Sequence, residues 1–114
     1  MPDGAAAAVP TRFFPMATVM EAVAFALAIP VDRLRSHEVS QSLTVARQVA
    51  ALLMLEYSIG SKIEIGRALG RTLQGSSGYT LVRGGKDRLA GNDELFRAAF
   101  EQARQRLLQG LQHV

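Results

Sequence analysis

The segment from Ser61 to Arg71, SKIEIGRALGR, constrains the fold of this chain more than any other stretch. Ser61 and Glu64 have the spacing of a capping box, in which the serine side chain and the glutamate side chain each accept a hydrogen bond from the other residue's backbone. The apolar residues that follow form a short helical stripe, and Gly70 lets the chain turn with positive φ. We therefore predict a short helix that ends in a glycine turn.

A Gly/Ser-rich segment and a second basic segment follow this turn. Residues 72–78 have the composition of a loop. Residues 79–90 fit either a short strand or a helix, and Gly84 and Gly85 would each cost about 1 kcal/mol in a helix interior. We favour the helix because a lone strand would have no partner here. A helix, a turn and a second helix are the outline of a helix-turn-helix, although an ordinary αα-hairpin has the same spacing.

The first half of the chain contains two further predicted helices and one isolated helical turn. Thr18 and Glu21 have capping-box spacing, so we expect a helix over residues 19–28 that is apolar nearly all round and therefore well buried. Residues 31–34 fit one helical turn. A broad apolar face over residues 43–57 predicts the central core helix, and the polar residues before it read as a loop.

A last helix is predicted over residues 93–108, with Asn92 as its cap. Its predicted apolar stripe contains Leu95, Phe96, Ala99, Phe100, Ala103 and Leu107, and its predicted outward residues are Arg97, Arg104 and Arg106. The predicted fold is all-α, a bundle of five or six helices. It forms one domain over residues 16–114 behind a leader over residues 1–15, which holds three of the four prolines.

Residues suited to catalysis are scarce. The chain of 114 residues has no cysteine, and its two histidines, His37 and His113, lie in a predicted loop and near the C-terminus. No phosphate-binding loop motif and no pair of histidines at metal-binding spacing is present. We therefore expect no enzymatic activity, no cofactor and no metal. The longest apolar runs fall far short of the ~20 residues of a membrane span, so we expect a cytoplasmic protein.

Positive charge is concentrated after the central stretch. Residues 1–66 carry five Lys/Arg and six acids, whereas residues 67–114 carry eight Lys/Arg and four acids. A cationic half that is rich in arginine and hydroxyl groups suits a polyanionic partner. The candidate contacts with double-stranded DNA are Arg67, Arg71, Ser76, Ser77, Tyr79, Thr80, Arg83 and Lys86. The alternative is that these side chains are ordinary solvated surface groups.

The order of these elements resembles the C-terminal DNA-binding domain of the bacterial replication initiator DnaA, a helix-turn-helix of the Trp-repressor type. The residues that carry the resemblance are Val31-Asp32-Arg33-Leu34, Ala46-Arg47-Gln48-Val49-Ala50 and the Ser61–Arg71 motif. The resemblance covers roughly residues 16–90 and implies a Trp-repressor-like bundle that binds duplex DNA. It implies further that Lys62 contacts phosphate and that Arg47, the motif arginine of the long helix, is a DNA contact. It also implies a bacterial protein, for which association with the nucleoid is an option.

The sequence also departs from the family pattern. The Asp-His-Thr segment that reads bases in the family is absent, and Val45 stands where the family has a minor-groove arginine. We expect a non-enzymatic DNA-binding protein in the regulation of replication initiation, with residues 76–86 in the major groove. Two alternatives are an adaptor that binds initiator or regulator proteins, through Phe13 and Phe14 or the last helix, and a structural homodimer.

Overall fold

The computed structural model describes residues 14–71 and 77–112. Within these residues the chain forms six helices and no strand, so the predicted all-α bundle is confirmed. The helices are α1 (Met16–Leu27), α2 (Val31–Leu34), α3 (Gln41–Tyr57), α4 (Lys62–Ala68), α5 (Ser77–Ala90) and α6 (Glu94–Gln112). Most of the predicted leader and most of the predicted 72–78 loop lie outside the described residues.

The central helix of the bundle is α3, as predicted. Eleven of its 17 residues are buried, and α1, α5 and α6 all pack against it. The helix begins two residues earlier than expected because the Ser40 side chain accepts a hydrogen bond from the Leu43 backbone N–H (3.2 Å) and caps it. Removal of this apolar surface from water is the main stabilising term of such a core.

The predicted capping box of the first helix is wrong. The backbone N–H groups of Thr18 and Val19 donate to the Pro15 carbonyl (3.0 and 3.2 Å), so α1 starts a turn earlier, with Pro15 at its N-cap. The residue before it, Phe14, determines this start, because its N–H donates to the Tyr57 carbonyl (2.7 Å) and its ring meets the Tyr57 ring edge to face. A contact with a distant helix therefore overrides the local pattern.

The first helix is also less buried than predicted. Its buried residues are Val19, Met20, Ala22 and Val23. Phe25 on the opposite side is 67% exposed, and the Arg106 guanidinium of α6 lies 3.8 Å from the centroid of its ring. An aromatic ring that looked like core in the sequence is thus a surface residue covered by a cation.

The cap of α6 is Asp93 and not the predicted Asn92. The Asp93 carboxylate accepts hydrogen bonds from the Phe96 backbone N–H (3.0 Å) and from the Arg88 guanidinium (3.0 Å), and so closes the corner between α5 and α6. Asn and Asp are about equally good caps, so preference alone cannot choose between neighbouring residues. The structure chooses Asp93 because Arg88 of α5 pairs with it.

The inner side of α6 follows the predicted stripe with one exception. The buried residues are Phe96, Phe100, Ala103 and Leu107, and Ala99 is half-buried. Leu95 is wrong as a core residue, because it is 86% exposed. Arg104 was expected to face outward but is half-buried, since it donates to the Tyr57 hydroxyl (2.9 Å).

The segment that was ambiguous in the sequence is helical, and α5 begins at Ser77. Its two central glycines face α3. A Cβ atom on Gly85 would lie 2.9 Å from the Leu52 side chain, and one on Gly84 would lie 2.5 Å from Nε2 of Gln48. The glycines therefore allow α5 to approach α3 more closely than any side chain would permit.

The N-terminal end of α5 crosses α4 at similarly short range. A Cβ atom on Gly78 would overlap the Lys62 carbonyl oxygen, and one on Gly66 would lie 3.0 Å from the Gly78 nitrogen. The backbones of the two helices are in contact here. Glycine normally destabilises a helix interior, but at these positions it is required because any side chain would prevent that contact. This crossing holds α5 against the bundle and leaves its opposite side exposed.

The capping box of α4 is confirmed. Ser61 Oγ accepts from the Glu64 backbone N–H (3.2 Å), and Glu64 Oε1 accepts from the Ser61 backbone N–H (2.7 Å). The predicted glycine turn is also present: Gly70 has φ 77°, and a Cβ atom there would overlap the Arg35 carbonyl oxygen. The turn after α4 therefore packs against the loop between α2 and α3.

Candidate nucleic-acid interface

The exposed side of α5 brings together four of the predicted DNA contacts. These residues are Tyr79, Thr80, Arg83 and Lys86. They lie within an arc of about 120° around the helix, because residues three and four apart are neighbours on a helix surface. The buried side of α5 contains Gly78, Val82 and Gly85. We call the exposed side, with Lys62 at its N-terminal end, the α5 face.

Lys62, the first residue of α4, joins this face through Tyr79. Its Nζ lies 5.2 Å from the centroid of the Tyr79 ring, which is a cation–π contact, and the tyrosine is 52% exposed. Such a contact at an exposed site contributes about 0.5–1 kcal/mol. It links the beginnings of the two helices of the predicted helix-turn-helix and places a third cation beside Arg83 and Lys86.

The α5 face also carries one acid, Asp87, which is exposed four residues after Arg83. The two side chains have the spacing of a helical ion pair, but among the described residues no ion pair between them lies within 4 Å. Three cations therefore stand against one carboxylate on this surface. The balance is positive, as binding to a phosphate backbone requires.

The structure does not bring Arg67, a further predicted contact, onto this face. Arg67 is exposed on α4, but it follows Gly66, which meets α5, and so points about 100° away around the helix. Ser77 is the first residue of α5. Ser76 lies outside the described residues.

The prediction that Arg47 contacts DNA is contradicted by its burial. Its side chain is only 3% exposed, and its guanidinium donates to the carbonyl oxygens of Leu34 (2.9 Å), Ser36 (2.9 Å) and Arg33 (3.1 Å). The end of a helix leaves carbonyl groups without partners in the helix itself, and Arg47 satisfies those at the end of α2. The motif arginine therefore has a structural role.

Arg71 joins the same cluster. It is half-buried, and its Nη1 donates to the Ser36 carbonyl (3.0 Å), the oxygen that Arg47 also contacts. Burial, together with the charge of nearby Arg71, lowers the pKa of the Arg47 guanidinium. The two arginines thus link the loop between α2 and α3 to the end of α4, and Arg71 is not among the residues of the α5 face.

Two pairings in the structure had no signal in the sequence. Lys62 and Tyr79 are 17 residues apart, and Phe25 and Arg106 lie on the first and last helices. A periodicity argument reports which side of one helix is apolar, but it does not identify the neighbour on another helix. Only the packing of the helices brings these cations onto aromatic rings.

Other kinds of site find no support in the described part of the chain. No three His, Asp or Glu side chains in it lie close enough together to hold a metal ion. None of the helices over residues 14–71 and 77–112 combines the length and the apolar character needed to cross a membrane. The α5 face is the only described surface in which several of the predicted contacts meet.

Comparison with known proteins adds no further assignment: no protein-family model, curated protein or solved structure matches the chain. The candidate interface therefore depends on the residues and contacts described above.

Proposed function

We propose that this chain is a non-enzymatic DNA-binding protein of the helix-turn-helix type, with a Trp-repressor-like arrangement in which α4 and α5 are the two motif helices. One observation carries the proposal. The α5 face gathers Arg83, Lys86, Tyr79 and Thr80 on one side of a single helix, and Lys62 extends it from α4. These residue types supply the cations and hydroxyl donors that a DNA duplex requires.

The mechanism follows from the shape of α5. The helix has 14 residues, hence a length of about 21 Å, and B-DNA has a major groove about 12 Å wide that admits one helix. Arg83 has the fork of donors that suits guanine O6 and N7, whereas Lys86 and Lys62 act as point charges for phosphate oxygens. Tyr79 and Thr80, on the first turns of α5, provide hydroxyl groups for base edges or phosphates.

The glycine crossings support this role because they let α5 pack closely against α4 and α3. Gly78 and Gly85 remove the side chains that would separate α5 from α4 and α3. A binding surface on a helix that is held at backbone distance keeps its donors in position, which lowers the entropy lost when the complex forms. Rigid placement is the requirement for reading a groove.

We further propose a role in regulating replication initiation, on the basis of the resemblance of the Ser61–Arg71 motif to the initiator's DNA-binding domain. The capping box and the glycine turn of that motif are present. The departures from the family pattern lead us to expect a DNA preference different from that of the initiator.

A second candidate is an adaptor that binds proteins of the initiation machinery and has lost most affinity for DNA. The burial of Arg47 and the contact of Arg71 with Ser36 favour it, because both arginines would otherwise add to the cationic surface. On this proposal the α5 face is an interaction surface for an acidic protein. A titration with duplex DNA distinguishes the DNA-binding protein from the adaptor.

The test is a fluorescence anisotropy titration of the full chain with mixed-sequence duplex DNA at two salt concentrations. We expect affinity to fall as salt rises, since each neutralised phosphate contributes a slope of about 0.9 in log K against log salt. The double variant Arg83→Ala/Lys86→Ala should bind about tenfold more weakly or worse, with a slope reduced by about 1 through the loss of the Lys86 contact with phosphate.

Arg106→Ala is the matched control. It also removes a cation from an exposed helix position, but its guanidinium lies on Phe25 of α1 and not on the α5 face. It should leave DNA affinity within about twofold of the unaltered protein, since its charge is outside the interface. Absence of binding at low salt, or equal losses in both variants, would contradict the proposal and leave the adaptor.

A further inference from the structure

The solvent-exposed side of α6, which borders α1 at Phe25 and Ala26, carries an uncharged stripe. Its described members are Leu95, Ala98, Gln102, Gln105 and Gln109, all exposed. Their spacings alternate between three and four residues, which is the spacing of the contact positions of a coiled coil. We call these five residues the glutamine stripe.

The composition of the stripe is unusual for a surface helix. An outward helix face normally carries charged residues, which keep it solvated and separate from other molecules. Here the stripe holds no charge, and Leu95 at its beginning is 86% exposed. The absence of charge removes the repulsion that would oppose the approach of an identical surface.

The chemistry of glutamine favours a second copy of the chain over another partner. Each glutamine amide has both donors and an acceptor, so a row of glutamines is complementary to an identical row. A two-fold interface requires this property, because the same residues face each other from both sides. A surface whose charges all have the same sign, or one that carries only hydrogen-bond donors, would not be complementary to an identical surface.

Charges on the two flanks of the stripe indicate how the copies are oriented. Glu101 lies on one flank and Arg106 on the other, five residues further along α6. In a parallel pair of helices, residues five apart on opposite flanks meet across the interface, so Glu101 of one copy would face Arg106 of the other. An antiparallel pair would place like charges together.

The intramolecular contacts of these two residues leave them able to pair between copies. The Arg106 guanidinium lies over the Phe25 ring, and among the described residues it forms no ion pair within 4 Å. Glu101 has one exposed contact with Arg104 at 3.4 Å, a weak pair. Neither residue would have to give up a strong interaction.

We propose that the chain associates into a parallel homodimer through the glutamine stripe of α6. The bundle lies on the opposite side of α6, since Phe96, Phe100, Ala103 and Leu107 are buried there. The partner helix therefore approaches from the solvent side, and the α5 face is not covered by it. The association does not depend on DNA binding.

The dimer is expected to be weak. A helix of 19 residues is about 28 Å long and 10 Å wide, so a single helix pair buries less than the roughly 800 Å² per partner of a stable interface. Glutamine at contact positions also stabilises a helix pair less than leucine or isoleucine does. We expect a dissociation constant on the order of 10–100 μM.

Sedimentation velocity of the full chain between about 10 μM and 1 mM tests the proposal. The expected result is a rise in mass with concentration from the chain mass of 12.3 kDa toward twice that value. The variants Gln102→Glu and Gln102→Lys should each weaken the dimer at least tenfold, because each places like charges opposite each other. An equimolar mixture of the two should restore it.

Gln41→Glu is the control, since Gln41 is an exposed glutamine on the first turn of α3, outside the stripe. It should associate like the unaltered chain, and circular dichroism should show the same helix content in all variants. A monomer at 1 mM would overturn the proposal, and so would Gln102 variants that associate normally or a mixture that fails to recover.

Discussion

The helices α5 and α6 bury one side each, but by opposite means. α6 fills the space beneath it with large side chains, Phe96, Phe100 and Leu107 among them. α5 instead removes side chains at Gly78 and Gly85, so that its backbone lies directly on α4 and α3. Burial of apolar side chains is the main term that stabilises α6, whereas α5 is stabilised by the close approach of its backbone to the neighbouring helices.

This difference explains why one helix was easy to predict and the other was not. The apolar stripe of α6 is a property of its own sequence. The glycines of α5 weaken a helix in isolation and are accounted for only by what lies beneath them. The first three predictions below test this contrast, beginning with the most destabilising substitution.

Replacement of Phe96 by alanine should cause the largest loss of stability. The ring is 1% exposed, so its removal leaves a cavity under α6 and should cost about 3–5 kcal/mol in the free energy of unfolding. Urea denaturation measures this. Leu95→Ala, one residue earlier but 86% exposed, is the control and should change stability by less than about 0.5 kcal/mol. Similar losses in the two would mean that the inner side of α6 is misassigned.

Gly78→Ala should destabilise the protein although alanine is the better helix former. The added Cβ would overlap the Lys62 carbonyl oxygen, and a backbone atom cannot move aside as a flexible side chain can. We expect a loss of about 1–3 kcal/mol in the free energy of unfolding, again by urea denaturation. Stability equal to that of the unaltered chain would show that α5 does not cross α4 at backbone distance.

Gly110→Ala should stabilise the protein, in contrast to Gly78→Ala, and the two substitutions are to be compared. Gly110 lies within α6, and a Cβ atom there would meet nothing within 4 Å. Helix propensity alone then operates, and stability should rise by up to about 1 kcal/mol. A loss of stability in thermal and urea unfolding would show that this glycine has a packing role in the chain.

The smallest expected effect concerns the ion pair between Arg33 and Glu38, which lies on the surface at the loop after α2. The hydrogen-bonded Arg33 guanidinium (2.7 and 3.2 Å) lowers the pKa of Glu38 below its ordinary value of 4.5. Because the pKa is lower in the folded state, the pair stabilises the protein above pH 4.5, and this contribution is lost as pH falls through the folded-state pKa.

Glu38→Gln checks that prediction. The variant should be slightly less stable than the unaltered chain at pH 7. The difference in stability should vanish well below the folded-state pKa of Glu38, where the protonated glutamate is as uncharged as the glutamine that replaces it. Urea unfolding of the two proteins at neutral and acidic pH gives the comparison. A difference that persists unchanged at acidic pH would mean that Glu38 acts by something other than its charge.

Much of the fold could be predicted from local patterns. The all-α class, the central helix α3 and the capping box of α4 all follow from periodicity and capping chemistry. Errors occurred where two neighbouring residues were equally suited to a role, as with Asn92 and Asp93. They also occurred where a distant contact determined a boundary, as Phe14 does for α1.

The candidate site was harder to predict than the fold. The sequence grouped Tyr79, Thr80, Arg83 and Lys86 with the other basic and hydroxyl residues of one region, and the structure places these four on one side of α5. Arg47 had the same charge and a motif position in its favour, yet it is buried on the carbonyl groups at the end of α2. Charge and motif position do not report whether a backbone acceptor lies nearby.

The helical class of this chain, the places of its strongest helices and the cationic character of its second half all follow from residues a few positions apart. The packing of the helices is what buries Arg47, directs Arg71 to the Ser36 carbonyl, brings Lys62 to Tyr79 and leaves Phe25 at the surface. Those outcomes depend on which helix lies beside which. Local periodicity reports which side of a helix is apolar, but only packing determines what covers it.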